Sequence, residues 1–374
     1  MNRRIRLRHL LYGLGGLAAA ALVALWAGLM PVTASSGHWR ITAWFLHWVM
    51  QNSVRTDALF VETPAEVDDP VLVRRAAGHF ETACRFCHGA PGAPAGPLPF
   101  NMTPRPPGLE HAADAWSPAE LFRIVGHGIK FSGMPAWPAP ARDDEVWAMV
   151  AFLRALPQMD AADYAQLSGR AATADAGDSL PARAGCVACH GTDGGSDGGA
   201  VPVIGGQRTD YLAATLIDFR DGRRDGGIMQ VATAGLDDDT IARLARHYAG
   251  QRPEPDPAAH ADPERLAQGA AIISDGMPEA RVPACSACHG AGGADPKPGI
   301  PRLAGQDAGY LATQLHLWRA GTRGGGPRAE VMTRAASGLS DADIRAVAAA
   351  LARGEKGRGY RDTLPGGTAA PAAD

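Results

Sequence analysis

The six cysteines of this 374-residue chain fall in three copies of one pentapeptide. They are Cys84-Arg85-Phe86-Cys87-His88, Cys186-Val187-Ala188-Cys189-His190 and Cys285-Ser286-Ala287-Cys288-His289. Two thiols three positions apart stand on one helical turn, where they can add across the two vinyl groups of a single haem. The histidine that follows is then delivered to the iron as proximal ligand. Other cysteine chemistry fits less well. Zinc needs a further pair of Cys or His at ligand spacing, a redox C-x-x-C has no use for the trailing His, and a disulfide framework would not confine every cysteine to the same pentapeptide. The expectation is three covalently bound haem c groups. Haem c is attached to exported apoprotein, so the motifs are expected to face the periplasm or its equivalent.

A second axial ligand decides what such an iron can do. With one protein ligand it is open to oxygen, peroxide or carbon monoxide; with two it is closed and passes electrons only, and methionine there raises the potential. Met134 lies 46 residues after His88, between Gly133 and Pro135, which let a loop bend over a haem edge; Met102, His111 and His127 are its rivals. Met229 and Met332 each stand seven residues before a leucine, Leu236 or Leu339, that opens a final helix. His247 and His316 are rival imidazoles, read as surface or packing residues. The expected iron ligands are therefore His88 with Met134, His190 with Met229, and His289 with Met332. A proximal histidine also needs an acceptor on its other ring nitrogen, and the carbonyls of Pro202 and Pro301 are the expected suppliers. Arg220, Arg224, Arg319 and Arg323 either pair with haem propionates or form a solvated basic face. No Ser/His/Asp arrangement, phosphate-cradling loop or second metal cluster stands out, and the glycine-rich stretch 191–199 reads as a flexible loop.

The elements that must hold these residues are helical. The motifs are spaced 102 and 99 residues apart, which divides the chain in three. The second and third segments repeat at an offset of 99: Pro202 with Pro301, Gly206-Gln207 with Gly305-Gln306, Tyr211-Leu212 with Tyr310-Leu311, and Arg220, Gly222 and Arg224 with Arg319, Gly321 and Arg323. A four-residue insertion moves the offset to 103, so that Leu236 meets Leu339 and Ile241 meets Ile344. Helices are expected over 211–220 and 310–319, each closed by glycine, and over 236–249 and 339–352, capped by Asp237 and Ser340. In the first segment they are expected after Ser117-Pro118 and over 143–156. The domains are expected at 70–160, 184–252 and 264–354, with linkers at 161–183 and 253–263 and a mobile tail at 355–374. With 46 glycines, 29 prolines and 6% aromatic residues, a bound haem must supply much of each apolar core. The net charge of −3, without a basic stripe, excludes nucleic acid as a partner.

Residues 1–31 carry Arg3, Arg4, Arg6 and Arg8 before an uncharged run of 21 residues, 10–30. That run is long enough to span a bilayer, which takes about 20 residues, and the arginines place its start in the cytoplasm. A cleaved signal peptide is the alternative, with a cleavage site available at Val32-Thr33-Ala34; the length of the run favours a retained anchor. The membrane-proximal segment 32–69 holds Trp39, Trp44, Phe45, Trp48 and Phe60, and reads as a helix at headgroup level or, alternatively, packed on the first haem domain.

Each haem segment resembles a class I cytochrome c domain. Residues 184–354 resemble the tandem di-haem cytochromes of the c4 type, through Pro-x-x-x-Gly-Gln-x-x-x-Tyr-Leu at 202–212 and 301–311, the Arg-x-Gly-x-Arg stretches and the late methionines. The first domain resembles single-haem modules with a Ser-Gly-Met-Pro-Ala-Trp loop, here 132–137. The resemblance implies an all-α fold, three tandem class I cytochrome c domains after a transmembrane helix, and electron transfer rather than catalysis. It implies redox partners: a quinol-oxidising complex or dehydrogenase as donor and a terminal oxidase as acceptor, at the bacterial inner membrane facing the periplasm. A cytochrome subunit of a membrane-bound alcohol or aldehyde dehydrogenase is the alternative, and a haem peroxidase or gas sensor is a further one, which the three methionines oppose. Two departures stand out. Pro181 makes the start of the second domain irregular, and the stretch from Met277 to Pro283 is longer than a minimal module needs.

Overall fold

The computed structural model describes residues 3–30, 32–195, 199–253, 262–290, 296–326 and 329–353. The expected tail at 355–374, all but the ends of the linker at 253–263, and residues 196–198 of the glycine-rich loop lie outside them. Among the described residues the chain is all-α, with no strand and only three isolated bridges.

The amino-terminal helix, Arg3–Trp26, takes the arginines into its first two turns and ends before the apolar run does. Within it, Leu7–Trp26 has a mean hydropathy of 1.6 and no buried residue, so among the described residues this is the one helix long and apolar enough to cross a membrane. The following helix, Arg40–Ala58, buries only Val54 and Ala58. Its carboxy-terminal half reaches the Pro118–His127 helix through Arg123–Asp57 (3.4 Å) and Arg55–Glu120 (3.7 Å). Its other end leaves Trp44, Phe45 and Trp48 exposed, with Trp44 and Trp48 stacked one turn apart at 6.4 Å. Packing on the first haem segment therefore accounts for one end of this helix and not for its aromatic face.

Three helices frame the first motif, and each start is written in the sequence. Asp69 accepts from the Val71 N–H ahead of Pro70–His79, with proline at the first helical position, where its missing N–H costs nothing. Ser117 and Glu120 form a reciprocal capping box on Pro118–His127. Asp143–Ala155 opens on three acidic residues at the positive end of its dipole. Phe80 and Phe152 meet at 4.8 Å between these helices.

Tyr164 completes that core, fully buried against both rings, and donates to Glu81 Oε2 at 2.7 Å. This corrects the expected linker at 161–183, which is folded as Ala161–Leu167, Arg170–Asp175 and Leu180–Arg183. Its alanine- and aspartate-rich composition conceals both the cap, where Asp160 accepts from Ala162 N and Asp163 N, and the one aromatic anchor.

The second and third segments show the repeat as matched helices, Thr209–Arg220 with Ala308–Ala320 and Asp238–Ala249 with Asp341–Ala352. Asp237 and Ser340 cap as expected, Ser340 in a capping box with Asp343. Between the members of each pair lies a short helix the sequence did not announce, Gly227–Thr233 and Ala329–Ala336. Of these two, the third segment alone has a long leading helix, Pro263–Asp275, which crosses Asp341–Ala352. The second has the irregular start that Pro181 implied, with Leu180–Arg183 a single turn. The extra residues near 277–283 close a small loop, Met277 and Val282 exchanging bonds of 2.8 and 3.0 Å.

Gly269 sits where the two long helices of the third segment cross. A Cβ there would overlap the Ala346 carbonyl and crowd the Ala350 methyl at 2.9 Å, so close approach of the backbones depends on glycine. Gly269→Ala is expected to destabilise the third segment by about 1–3 kcal/mol through overpacking. A lower urea midpoint measures this; an unchanged one would mean the crossing yields freely.

Candidate haem-binding sites

Each pentapeptide ends in a one-turn helix, Arg85–His88, Val187–His190 or Ser286–His289, which sets two cysteines and a histidine on one turn. Glycine follows in every case, and Gly89 (φ 72°) and Gly191 (φ 63°) turn the chain away at left-handed angles that few other residues accept. All six thiols are free and half-buried. Burial pushes the Cys84 thiol up to about 12 and those of Cys186, Cys189 and Cys285 up to about 11. A thiol held neutral in this way disfavours thiolate ligation of a metal.

The three histidines share one device. His88 Nδ1 lies 2.8 Å from the Pro107 carbonyl, His190 Nδ1 3.2 Å from that of Pro202, and His289 Nδ1 3.0 Å from that of Pro301. A carbonyl can only accept, so Nδ1 carries the proton and Nε2 keeps its lone pair. Burial also holds the rings neutral: His190 is pushed down to about 4, and His88 and His289 are lowered by the same cause. Neutral imidazole with a free Nε2 is what iron requires, so the residues fit the group. Pro202 and Pro301 act as the repeat led one to expect. Pro107 was missed, because it lies 19 residues after its histidine rather than 12; the only signal was the proline-rich run 104–107.

The methionines occupy segments of two kinds. Met134 is half-buried in the loop after Pro118–His127. That loop folds back on its helix: Ile129 N donates to Met134 O (3.2 Å) and Met134 N to Ser132 Oγ (3.1 Å). Met102, its rival, lies with its methyl against Gly133 and is also half-buried. His111 and His127 are exposed. Met229 and Met332 are half-buried on the two short helices, Met332 against the third core cluster. His247 packs on Tyr248 and bonds the Thr192 carbonyl at 2.9 Å, while His316 is engaged by Arg319 at 3.1 Å.

All four arginines are engaged by other groups of the chain. Arg220 holds Asp238 (2.6 Å) and the Leu236 carbonyl (3.2 Å), and Arg319 does the same with Asp341 (2.6 Å) and Leu339 (2.9 Å), so each fastens the start of its segment's last helix. Arg224 and Arg323 are buried where the second and third segments meet. Their guanidinium groups lie over Phe219 (4.4 Å) and Trp318 (4.3 Å), and both bond Gln314. Burial by another part of the chain leaves no trace in a local pattern, which is why theirs was not expected.

A second seam joins the first segment to the second. The buried Glu145 carboxylate accepts from Trp137 Nε1 (3.1 Å) and the Ile228 N–H (3.4 Å) and pairs with Arg142 at 3.0 Å. It thus ties the segment bearing Met134 to the helix bearing Met229. Burial raises its pKa, with Arg142 opposing. Arg142 also donates to the Asp225 carbonyl at 3.0 Å, and Arg75 to that of Ala200 at 3.1 Å. Gly78 abuts Cys189 Sγ so closely that a Cβ would collide with it. Glu145, Arg142, Arg75 and Gly78 were not singled out in the sequence; a Glu among the first residues of a helix reads as a dipole partner. Glu145→Ala is expected to cost about 2–3 kcal/mol, since it leaves Trp137 and the Ile228 N–H without their acceptor and removes a partner from a buried cation. Urea unfolding checks this, with Glu145→Gln expected to lose less.

Comparisons with known proteins agree with this geometry. Residues 71–153 match the family model described as cytochrome c oxidase, cbb3-type, subunit III, and residues 266–352 match that described as cytochrome c. The chain is 36% identical over 163 residues to cytochrome c4 of Pseudomonas aeruginosa, covering 43% of this chain and 80% of that protein. It is 37% identical over 174 residues to the thiosulfate dehydrogenase electron acceptor of Stutzerimonas stutzeri, covering 46% and 80%. It is 38% identical over 164 residues to cytochrome c4 of Thiocapsa roseopersicina, covering 43% and 83%. Helices without strands, three Cys-x-x-Cys-His turns with histidines tied to proline carbonyls, and relatives covered over most of their length lead to one conclusion: the chain belongs to the c-type cytochromes, with domains like those of cytochrome c4.

Proposed function

We propose that the chain is a membrane-anchored electron carrier holding three haem c groups, in domains at 70–160, 184–252 and 264–354. The observation that carries this reading is the triplicate site: two unpaired cysteines and one histidine on a single turn, with Nδ1 committed to a proline carbonyl each time. When bound, haem supplies a one-electron couple cycling between ferric and ferrous iron. The chain's own residues do the rest. Cys84/Cys87, Cys186/Cys189 and Cys285/Cys288 would hold the group through their sulfurs; His88, His190 and His289 would each supply a nitrogen ligand, and Met134, Met229 and Met332 a sulfur ligand. Iron held by both residues of each pair would exchange electrons and exclude small molecules. The half-buried state of all three methionines supports this assignment.

The exposed apolar helix Arg3–Trp26 serves as the anchor, and the aromatic face of Arg40–Ala58 lies at the headgroup level of the same membrane. The haem domains then face the periplasm at the inner membrane, within reach of a quinol-oxidising complex and a terminal oxidase in a respiratory chain. A second reading has a specific observation behind it: a relative at 37% identity is named as the electron acceptor of a thiosulfate dehydrogenase. The chain would then accept electrons from a dehydrogenase, as its partner or subunit.

Low-temperature electron paramagnetic resonance of the oxidised protein, with spins counted against total haem, tests the carrier reading. Three low-spin haems per chain are expected. Replacing Met134, Met229 or Met332 by alanine is expected to turn one haem high-spin and leave the other two unchanged. A stoichiometric high-spin haem in the unsubstituted protein would overturn the reading and make that iron a site of chemistry. Intact mass of the membrane-extracted protein is expected to include residues 1–31; a chain starting after Ala34 would replace the anchor with a cleaved signal.

A further inference from the structure

Between the second and third segments the repeat becomes a reciprocal seam. Gln306, buried at 9% exposure, accepts from the Val203 N–H at 2.8 Å and donates to the Val203 carbonyl at 2.9 Å. Gln207, buried at 8%, does the same to the opposite segment: it accepts from the Arg302 N–H at 2.9 Å and donates to the Arg302 carbonyl at 2.9 Å. Val203 and Arg302 are equivalent positions of the repeat, one residue after Pro202 and Pro301. The Val203 N–H therefore belongs to the very peptide group whose carbonyl receives His190 Nδ1, and the Arg302 N–H to the one that receives His289 Nδ1.

Both glutamines sit on braced turns. Gly206 N donates to Tyr248 O and Gly305 N to Leu351 O, each at 2.9 Å, which pins the turn to the last helix of its own segment. Gly206 (φ 71°) and Gly305 (φ 72°) supply the left-handed angle those turns need. Arg224 and Arg323, stacked on Phe219 and Trp318, are also buried where the two segments meet.

A peptide group conducts polarisation from one end to the other. When its N–H donates, its carbonyl becomes a better acceptor, and consecutive bonds strengthen one another in a low-dielectric interior. A stronger acceptor on Nδ1 makes the imidazole a better donor to iron, which favours the ferric state. We propose that Gln306 and Gln207 are positioning residues acting across the seam, each holding and polarising the peptide that orients the proximal histidine of the other segment. The pair makes each of these two sites sensitive to whether its neighbour is docked. This rests on haem attachment at the second and third motifs.

The test uses the full chain with its haems. The reduction potentials of the two carboxy-terminal haems are followed by redox titration in NMR, with haem methyl signals assigned through contacts to each cysteine pair. Gln306→Met preserves length and removes both bonds. It is expected to raise the ferrous-to-ferric ratio of the His190 haem several-fold at fixed potential, leaving the His289 haem unchanged. Gln207→Met is expected to do the reverse. Gln306→Glu keeps an acceptor for the Val203 N–H and is expected to lower that ratio; it carries the test by its opposite sign if the methionine variant does not assemble. A shift confined to the substituted residue's own segment, equal shifts at both haems, or no shift in a fully loaded protein would overturn the proposal. Absence of haem from either motif in the unsubstituted protein, read by mass, would instead sink the three-haem reading.

Discussion

A proximal histidine has to present one nitrogen along one direction, and a buried ring with a free rotor cannot do so. The bond from Nδ1 to a proline carbonyl supplies the constraint at all three sites, at 2.8 to 3.2 Å. Proline suits the task because its ring fixes φ and leaves only a carbonyl to place. Everything else in the haem segments has to keep that carbonyl still. Around the second and third sites this is done from outside the segment, since the peptide after each proline is held by a glutamine from the other half of the repeat. Around the first site the acceptor lies on a longer loop, and no equivalent glutamine is bonded to it among the described residues.

The two seams differ in chemistry for a reason visible in the chain. The second and third segments derive from one repeat, so the seam between them can be reciprocal, and Gln207 and Gln306 make matched bonds in both directions beside the buried Arg224 and Arg323. The first segment does not share that repeat, and its junction with the second is built on a buried carboxylate and guanidinium. Buried charges are costly to desolvate and are retained only where several donors converge on them. Glu145 meets that condition with an indole N–H, a backbone N–H and Arg142. A charged junction of this kind fixes orientation more than it adds stability.

Much of this was legible beforehand, and the failures share a cause. The helix caps at Asp237 and Ser340 and the carbonyls of Pro202 and Pro301 are local patterns or repeated ones, and they stand as read. Tyr164 was lost in a stretch whose composition resembles a linker, because one aromatic among alanines gives no period to detect. The short helices of Met229 and Met332 are only seven and eight residues long, too brief for an apolar stripe to emerge. The burial of Arg224 and Arg323 went unread because what buries them lies about 90 positions away, as with Arg224 and Gln314. Sequence reports what a residue does within its own element; it is silent on what a neighbouring segment does to it.

That silence matters most for the middle segment. Its contiguous buried cluster comprises only Leu212, Ala245 and Tyr248, whereas the first and third segments assemble far larger ones. It also lacks the long leading helix that the third segment crosses at Gly269. Val187, Phe219, Ile241 and Leu244 are buried in the same segment outside that cluster, so its apolar contacts are scattered, and a small core offsets less of the entropy of ordering its chain. The missing apolar contact has to come from a bound haem and from two neighbours, which supply Gly78 against Cys189 on one side and the glutamine-laced seam on the other. The middle site is thus the one whose geometry depends most on the assembly around it, and it is the site both seams touch. In a chain built to hand electrons along, placing the least self-sufficient segment at the centre couples its haem geometry to the docking of both ends.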